Sequence, residues 1–309
     1  MKVLITGGAG YLGSTLAEKL LENFEVTVYD SLMYRQTSLF HLFKKGLNFV
    51  KGDVRDRDRL QNLVKNHDII IPLAAIVGMP ACKENPQLAI DVNHKQIVDI
   101  VDVLSSDQRL VIPNTNSQYG SSENIITEDS PFNPLSLYAQ TKCDAEKYVL
   151  DNGNGIVLRL ATVFGVSPRM RQDLLVNDFV YKSLVDGYLV LFEAHFKRNY
   201  IHVLDVARAF EFMIDNYNTC RGEVFNVGLS TANLTKLELA QKIKGHIPNL
   251  VIKQDEFKED FDKRNYIVSN EKIESRGFLP AYDLDYGIKE LIDAYPMVIA
   301  HNNRNFTNL

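Results

Sequence analysis

The sequence predicts an α/β fold: a doubly wound parallel sheet followed by a smaller C-terminal α/β lobe. Up to about residue 160, short β-branched runs alternate with amphipathic helical stretches. Continuous apolar strands separated by helices are typical of a parallel sheet that helices cover on both faces. Beyond Phe164 the pieces become shorter and no second regular βαβ series follows. We therefore expect one domain over residues 1–165 and a lobe over 166–309, from which some segments return to the first domain.

The individual elements follow from the apolar runs, in chain order. Six strand candidates are KVLIT, EVTVY, LNFV, DIIIPL, RLVIP and GIVLRLA, and the helical patterns between them lie near 11–22, 35–45, 56–66, 83–104 and 136–151. The C-terminal part predicts a helix near 172–186, strands near 189–192 and 200–203, a helix near 204–216, the strand EVFNV, and helices near 235–245 and 284–294. The charge run RDRDR is expected to be the solvated first turn of a helix.

The composition of the chain excludes several functional classes. The 309 residues are 45% hydrophobic and carry a formal net charge of −5. Such a chain has no broad basic surface, so nucleic acid is not an expected partner. No apolar run reaches the length of about 18 residues that a membrane-spanning helix needs, and glycines interrupt MKVLITGGAG where a signal peptide would stay apolar. We expect no membrane segment.

The three cysteines, Cys82, Cys143 and Cys220, lie far apart in the chain. They form no CxxC pair and have no histidine at the spacing of a metal site. The sequence therefore predicts reduced thiols, no metal and a cytoplasmic location.

The segment VLITGGAGYLG reads as a strand, a glycine turn and the start of a helix. Gly8, Gly10 and Gly13 fit the spacing GxGxxG, and Gly7 with the last two fits GxxGxxG. Glycine is needed where the turn is tight, where the backbone approaches a pyrophosphate and where the helix packs on the strand. The first N–H groups of the helix then face the phosphates. An ordinary tight turn is the alternative, but the context predicts a Rossmann-type dinucleotide site made by Gly7, Gly10, Tyr11, Leu12 and Gly13.

A second strand, EVTVYD, ends in Asp30, seventeen residues after Gly13. An acid at this place accepts hydrogen bonds from the adenosine ribose hydroxyls and repels a 2′-phosphate. The sequence therefore predicts NAD rather than NADP as the cofactor.

Two further strand ends are candidates for the rest of the cofactor site. Asp53 and Val54 follow the third strand, where the adenine would lie, but Asp53 is equally suited to cap the next helix. The fourth strand ends in PLAA, whose small residues suit close passage of the dinucleotide or simple packing. These residues of the fourth strand are Leu73, Ala74 and Ala75.

The segment YAQTKCDAEKYVL places Tyr138 and Lys142 four residues apart, so on a helix they share one face. A tyrosine proton dissociates near pH 10 in water, which is too high for a base at neutral pH. A lysine ammonium one turn away and a positively charged nicotinamide ring both favour the phenolate and lower its pKa. Alone, such a pair often means a core tyrosine and a surface lysine. After a glycine fingerprint and a strand that ends in Thr115, it predicts a catalytic site.

Together these motifs resemble the extended short-chain dehydrogenase/reductase superfamily, in its NAD-dependent nucleotide-sugar epimerase/dehydratase branch. The likeness covers nearly the whole chain and rests on TGGAGYLG, GD, LAA, NTNSQYG, YAQTK, RLATVFG, RNYIHVLDVARAF, GEVFNVG and KRNYIVSNEKI. It implies that Thr115 hydrogen-bonds the sugar hydroxyl to be oxidised, that Tyr138 takes its proton and that Lys142 holds the nicotinamide ribose. It also implies a nucleotide-sugar substrate and a homodimer in which the helices near 90–104 and 136–151 form a four-helix bundle.

The two residues after Thr115 separate the reactions of this family. Its sugar 4,6-dehydratases carry Asp-Glu there, to eliminate water from C5 and C6, whereas this chain has Asn116 and Ser117. Neither side chain is a general acid or base at neutral pH. The resemblance therefore disfavours dehydration and leaves oxidation, alone or followed by reduction, with Asn116 and Ser117 as candidate substrate contacts.

The loop after the sixth strand predicts further substrate contacts. Arg169 and Arg171 are candidates for the charged parts of a sugar nucleotide, since guanidinium groups suit phosphate, and solvated surface arginines are the alternative. The resemblance adds Asn177, near the substrate diphosphate, and Arg264, at a diphosphate-binding position before the last strand. The sequence departs from the family at two places. Thr162 replaces a frequent asparagine, and LFEAHFKRN lacks the usual glycine turn, which in the family borders the nucleotide base, so the base stays open.

A finer resemblance concerns PLAAIVGMPACKENP, PNTNSQYG and SPRMRQDLLVN, which are most similar to bacterial GDP-mannoheptose 4-dehydrogenases of capsule synthesis. The first hypothesis is therefore NAD-dependent oxidation of GDP-D-glycero-α-D-manno-heptose at C4 to the 4-keto sugar. A UDP-hexose 4-epimerase is the second hypothesis, and a non-catalytic NAD-binding regulatory protein is the third. The complete set of Thr115, Tyr138 and Lys142 argues against the third.

Overall fold

A computed structural model describes residues 1–152, 155–255 and 264–299 of the chain. The strands are β1 Lys2–Thr6, β2 Glu25–Asp30, β3 Asn48–Lys51, β4 Ile69–Pro72, β5 Arg109–Thr115, β6 Ser121–Ile126, β7 Ile156–Leu160, β8 Thr162–Phe164, β9 Tyr188–Phe192, β10 Lys197–His202, β11 Val224–Val227, β12 Asn233–Thr235, β13 Val251–Asp255 and β14 Asn265–Val268. The helices are α1 Tyr11–Leu20, α2 Arg57–Lys65, α3 Met79–Glu84, α4 Pro86–Ile90, α5 Gln96–Val101, α6 Leu137–Asp151, α7 Leu175–Val185, α8 Val203–Asp215, α9 Tyr217–Cys220, α10 Lys236–His246, α11 Glu271–Ser275 and α12 Leu284–Ile299.

The main sheet has seven parallel strands in the order β11-β7-β5-β4-β1-β2-β3. Its central strands are apolar because both faces are covered; the residues of β4 and the apolar core of β1 are buried throughout. One face packs against α1 and α8, and the other against α2, α5 and α6. The strand order reverses between β1 and β4, which opens a crevice at their carboxyl ends. This topology confirms the predicted doubly wound α/β class.

A second apolar core lies beyond β7. It is built around α7, α10 and α12 and includes the three-stranded sheet β12-β10-β8 and the pair β13-β9. The strand β11 leaves this region and pairs with β7 in the main sheet, and β14 pairs with β6. The boundary at residue 165 stays a prediction, and the parts of the predicted lobe at 256–263 and 300–309 lie outside the described residues.

Two predicted helices are wrong in extent. The pattern over 35–45 yields only a 3₁₀ helix, Phe40–Lys45, because the preceding loop is fixed as a turn by Ser38, whose hydroxyl donates to the Ala9 carbonyl over 2.8 Å. The pattern over 83–104 is broken at Asn85, which caps a new helix by accepting from the Leu88 N–H over 3.1 Å, and Pro86 follows at the first helical position. A π-helical turn over 91–95 separates α4 from α5.

Within the described residues, no helix is both long and apolar enough to cross a membrane. Over the same ranges, no three His, Cys, Asp or Glu side chains are grouped so that they could hold a metal ion. The three cysteines are buried and form no disulfide with one another.

Candidate active site

A cleft of about 970 Å³ lies at the carboxyl ends of the main-sheet strands, between the sheet and the C-terminal region. A volume of this size is at the upper end of the usual range for ligand pockets. All the residues predicted to bind the cofactor line it: Gly7, Gly10, Tyr11, Leu12, Gly13, Asp30, Asp53, Val54, Leu73, Ala74, Ala75, Tyr138 and Lys142. The sequence and the fold thus bring the predicted cofactor residues to one place.

The glycine turn after β1 can be made only by glycine at two of its positions. Gly7 has φ +68°, and a Cβ there would lie 2.5 Å from the Ala74 main-chain nitrogen. A Cβ on Gly13 would lie 2.5 Å from the Cα of Gly8. Gly7, Gly10 and Gly13 line the cleft, whereas Gly8 packs on Val28. The GxxGxxG spacing is therefore the one that lines the cleft. The helix α1 begins directly after it, and the N–H groups of a first helical turn are suited to phosphate.

Asp30 lies at the end of β2 with its carboxylate fixed by the main chain. One oxygen accepts from the Ala9 N–H over 3.0 Å and the other from the Leu32 N–H over 2.7 Å. Burial raises the pKa of Asp30, and these two hydrogen bonds oppose the rise. Leu32 is held in the left-handed region with φ 56°. The carboxylate is therefore positioned at the edge of the cleft, as the prediction for the adenosine ribose requires.

Asp53 lines the cleft and does not cap the helix that follows. The cap of α2 is Asp56, which accepts from the Arg59 N–H over 3.2 Å. Asp53 instead pairs with Arg55 over 2.6 Å, and that hydrogen-bonded partner holds the pKa of Asp53 below its ordinary value. The sequence allowed Asp53 either to cap the next helix or to contact the adenine. The cap is wrong, and the adenine contact stays a prediction.

Thr115, Tyr138 and Lys142 meet at the cleft because β5 and α6 are joined beneath it. Thr115 is the last residue of β5, while Tyr138 and Lys142 share one face of α6. Asn114 connects the two elements: its Oδ1 accepts from the Thr115 N–H over 3.0 Å, and its Nδ2 donates to the Lys142 carbonyl over 3.1 Å. The hydroxyl of Ser136 caps α6 by accepting from the third helical N–H over 3.2 Å.

Burial changes the proton affinity of both ionisable groups of this set. It raises the pKa of Tyr138 to about 12, while the Arg171 and Arg264 guanidinium groups and hydrogen bonding with Thr115 oppose the rise. It lowers the pKa of Lys142 to about 8, and the negative charge of Glu146 opposes the fall. The sequence singled out Lys142 as the cation that lowers the pKa of Tyr138, and this stays a prediction: the pKa of Tyr138 is raised, and two arginines from the C-terminal region oppose the rise.

The predicted substrate residues divide into two groups. Ser117, Arg169, Arg171 and Arg264 line the cleft. Asn116 is buried, and Asn177 is directed to the main chain, where its Nδ2 donates to the Arg171 carbonyl over 2.8 Å and its Oδ1 accepts from the Gly165 N–H over 3.1 Å. Asn177 therefore shapes the loop that carries Arg171, and a direct diphosphate contact by Asn177 stays a prediction.

The loop after β8 is tied to the start of α1. The Tyr11 hydroxyl donates to the Gly165 carbonyl over 2.7 Å, and the Ser167 hydroxyl donates to the Tyr11 carbonyl over 2.6 Å. These buried contacts hold the arginine-bearing loop directly beside the glycine turn. Hydrogen bonds thus connect the cofactor half of the cleft directly to its substrate half.

Sequence reasoning missed several residues of the cleft. Arg198 and Lys236 line it although both are nearly buried, and Tyr34, in the loop after β2, lies under Arg169 with 5.3 Å between the guanidinium carbon and the ring centroid. Arg198 lies in β10, whose residues KRNYIH are mostly polar although all but the first are buried, so hydropathy did not predict its burial. Nothing in the local sequence predicts the contact of Tyr34.

The model of the NAD dependent epimerase/dehydratase family matches residues 3–228, which include the glycine turn and the Thr115, Tyr138 and Lys142 set. The chain belongs to that family. Members of the NAD dependent epimerase/dehydratase family use NAD as cofactor, and the glycine cradle described above fits its pyrophosphate.

Individual members of this family are similar along nearly their whole length. The low-salt glycan biosynthesis protein Agl12 of Haloferax volcanii is 28% identical over 96% of this chain and 98% of its own. A putative UDP-glucose 4-epimerase of Methanocaldococcus jannaschii is 28% identical over 94% of this chain and 97% of its own. The structure of UDP-glucuronic acid 4-epimerase from Bacillus cereus, in complex with UDP-glucuronic acid and NAD, superposes with a TM-score of 0.85 at 22% identity, covering 96% of this chain and 100% of the other.

Proposed function

We propose that the protein oxidises C4 of a nucleotide-activated sugar with NAD as the hydride acceptor. The observation that carries the proposal is the meeting of Thr115, Tyr138 and Lys142 in the same cleft as the glycine turn. The cofactor residues Gly7, Gly10 and Asp30 line the same cleft, which supports a sugar bound at Tyr138 next to the nicotinamide.

In this proposal each side chain of the set has one task. Tyr138, as the phenolate, takes the proton of the C4 hydroxyl, and Thr115 holds that hydroxyl by a hydrogen bond. Lys142 binds the nicotinamide ribose and adds positive charge near Tyr138. NAD, when bound, supplies the acceptor for the hydride that leaves C4. The C4 alcohol then becomes a ketone, because its hydroxyl proton passes to Tyr138 and the hydrogen on C4 leaves as a hydride that carries two electrons.

The same site argues against elimination of water from the sugar. A 4,6-dehydratase needs an acid and a base beside C5 and C6, and the two residues that follow Thr115 are Asn116 and Ser117. Asn116 is buried, and Ser117 lines the cleft with a hydroxyl that is not a base at neutral pH. The proposed reaction therefore stops at the 4-keto sugar or returns the hydride to C4.

For the substrate, we propose GDP-mannoheptose with release of the 4-keto product, as in capsule synthesis. The finer resemblance of the sequence supports this choice. Arg169, Arg171 and Arg264 line the cleft, and guanidinium groups bind phosphate oxygens in a bidentate manner. The second candidate is a UDP-hexose 4-epimerase, which the similarity to the putative UDP-glucose 4-epimerase of M. jannaschii favours.

The test begins with the ligands that the purified protein releases on denaturation, followed by a panel of UDP- and GDP-sugars whose products are identified by NMR. A keto-acid and a second dehydrogenase in the mixture reoxidise any NADH formed. A 4-keto heptose supports the first candidate and a C4 epimer the second. A 4-keto-6-deoxy product, or NAD binding without turnover of any sugar nucleotide, contradicts the proposal, and the latter result fits a regulatory protein.

A variant of the base completes the test. Tyr138→Phe should lower turnover by about 10² to 10⁴, the usual contribution of a positioned general base. Its affinity for NAD should stay near that of the wild type, because the glycine turn and Asp30 are unchanged. Near-full activity of this variant would remove Tyr138 from the mechanism.

We also propose a homodimer and a cytoplasmic location. Ile90 is exposed, and Val98 and Val101 are half-buried, on the helical segment that packs beside α6, which suits an interface. Free buried cysteines are usual in a reducing compartment. Light scattering should give twice the chain mass of 35.1 kDa, and Ile90→Lys should shift it toward the monomer. A monomeric wild type at all concentrations would contradict the dimer.

A further inference from the structure

Ser117 connects the proposed catalytic set to the C-terminal region of the molecule. The Thr115 hydroxyl donates to Ser117 Oγ over 3.0 Å, and the Ser117 N–H donates back to Thr115 Oγ1 over 3.1 Å. Arg264, which directly precedes β14, donates through Nη1 to the same Ser117 Oγ. Ser117 is only 8% exposed, so water competes little for its hydroxyl. An arginine 147 residues away in the chain is thus hydrogen-bonded to the end of β5.

The chemistry of these groups decides which way their hydrogen bonds run. A guanidinium group only donates, so Ser117 Oγ always accepts from Arg264. The hydroxyls of Thr115 and Ser117 each donate one hydrogen bond and rotate freely enough to change its direction. When Tyr138 is a phenol, Thr115 donates to Ser117. When Tyr138 is a phenolate and no sugar is bound, Ser117 would donate to Thr115, and Thr115 would donate to the phenolate. Every O–H bond is kept, and only the two hydroxyl rotors turn.

The groups that act on the Tyr138 hydroxyl come from several elements. Arg171 lies in the loop after β8 and Arg264 before β14, and both favour the phenolate, while Cys82 of α3 disfavours it. Lys142 follows one turn later on α6. Arg264 is also connected to Thr115, because both donate a hydrogen bond to the Ser117 hydroxyl oxygen.

We propose that Ser117 and Arg264 are positioning residues that act on Tyr138 through Thr115, as a hydrogen-bonded relay that stabilises the phenolate. Arg264 orients and polarises the Ser117 hydroxyl, and Ser117 in turn makes Thr115 a better donor to the phenolate. The relay rests on the proposed function, because a phenolate is useful only if Tyr138 is the base. It also gives Ser117 a task at the position where dehydratases carry an acid.

The experiment measures the ionisation of Tyr138 directly, in the NAD-loaded protein labelled with ¹³Cζ-tyrosine. The NMR signal of Tyr138 is the one that Tyr138→Phe removes. Ser117→Ala should raise the titration midpoint of Tyr138 by about one pH unit, the contribution expected of a single hydrogen bond. Ser117→Thr keeps the hydroxyl and should restore the midpoint. Ser121→Ala is the matched control, since its hydroxyl donates to the Asn265 carbonyl at the same junction, outside the relay.

A second variant and a kinetic profile separate the relay from a merely structural role. Arg264→Gln should raise the same midpoint, and Arg264→Lys should raise it less because the positive charge remains. With any sugar nucleotide that is turned over, the acidic limb of kcat/KM against pH, on which activity rises as Tyr138 ionises, should shift to higher pH together with the NMR midpoint. A wild-type midpoint in both Ser117→Ala and Arg264→Gln overturns the relay. If no sugar nucleotide is turned over, the proposed function fails, and the NMR titration still decides the relay.

Discussion

The carboxylate of Glu146 and the guanidinium of Arg159 form an ion pair that is almost wholly buried under the end of β5. Arg159 Nε lies 3.1 Å from Glu146 Oε1, and the two side chains are 5% and 1% exposed. Asn114 and Gln118 donate to Glu146 Oε2 over 2.5 Å and 3.1 Å. Glu146 lies on α6, one turn beyond Lys142. Its carboxylate therefore joins α6 to β5 through Asn114, to the turn after β5 through Gln118, and to β7 through Arg159.

Arg159→Met should destabilise the protein strongly, because it leaves a buried carboxylate without its cation. Breaking a buried pair from one side costs about 3–5 kcal/mol. The matched control is Lys289→Met, which breaks the pair with Asp293 on the surface, where the two side chains are 69% and 64% exposed. Exposed pairs contribute at most about 1 kcal/mol. Urea unfolding of both variants measures the difference, and equal losses of free energy would contradict this role of Glu146.

Lys142→Met should stabilise the fold at neutral pH while it abolishes activity. Burial lowers the pKa of Lys142 from 10.5 to about 8, so the folded state carries the cost of a buried ammonium in full below pH 8. That cost, about 3 kcal/mol from the difference between the two pKa values, decreases as the pH rises from 8 to 10.5, where both states become neutral.

The free energy of unfolding of Lys142→Met, measured against pH, should therefore exceed that of the wild type most at pH 7 and converge with it near pH 10.5. Lys147→Met, at an exposed position of the same helix, is the control and should stay within about 0.5 kcal/mol at every pH. If the free energy of unfolding of Lys142→Met differs from that of the wild type by the same amount at every pH, the difference does not come from the buried ammonium group.

Gly13→Ala should lose both stability and NAD binding. Its Cβ would lie 2.6 Å from the Gly7 carbonyl oxygen and 2.5 Å from the Gly8 Cα, and neither main-chain atom can move without opening the turn. Gly245→Ala in α10 is the matched control, because nothing lies within 4 Å of its Cβ. Alanine in that helix should add about 0.5–1 kcal/mol. Thermal unfolding and NAD titration measure both variants, and a normal affinity for NAD in Gly13→Ala would contradict the assigned phosphate site.

Asp30→Ala should weaken NAD binding by about 10- to 100-fold, the effect expected for lost hydrogen bonds to a charged group. It should also bring the affinities for NAD and NADP closer together, because the carboxylate no longer repels a 2′-phosphate. Calorimetric titration with both cofactors measures this, with Asp58→Ala in the exposed first turn of α2 as control. A wild type that binds NADP as tightly as NAD would refute the role of Asp30.

Local patterns in the sequence were enough to predict the main sheet and which residues meet in the cleft. The glycine turn and the pair Tyr138 and Lys142 depend on spacings of a few residues, so they can be recognised before the fold is known. The end of β5 at Thr115 likewise follows from one apolar run.

What the sequence did not predict depends on contacts between distant segments. Arg264 reaches Ser117 only because β14 pairs with β6, and the buried ion pair of Glu146 and Arg159 needs α6 to pack beside β7. The break of the predicted long helix at Asn85 comes from a cap and a proline that outweigh the apolar pattern around them. Each of these is decided by packing or hydrogen bonding that no local periodicity contains.

The most direct test of C4 oxidation without dehydration uses a nucleotide sugar, chosen from the panel above, that carries deuterium at C4. Single-turnover mixtures are quenched, and NADH and sugar are analysed by mass spectrometry and NMR. We expect deuterium on the nicotinamide or again at C4, with every sugar hydroxyl carbon retained as an alcohol or a ketone, and transfer slowed by about 10² to 10⁴ in Tyr138→Phe. Deuterium at C6 of a deoxy sugar, or a product altered at another carbon with the configuration and the deuterium at C4 unchanged, would contradict it.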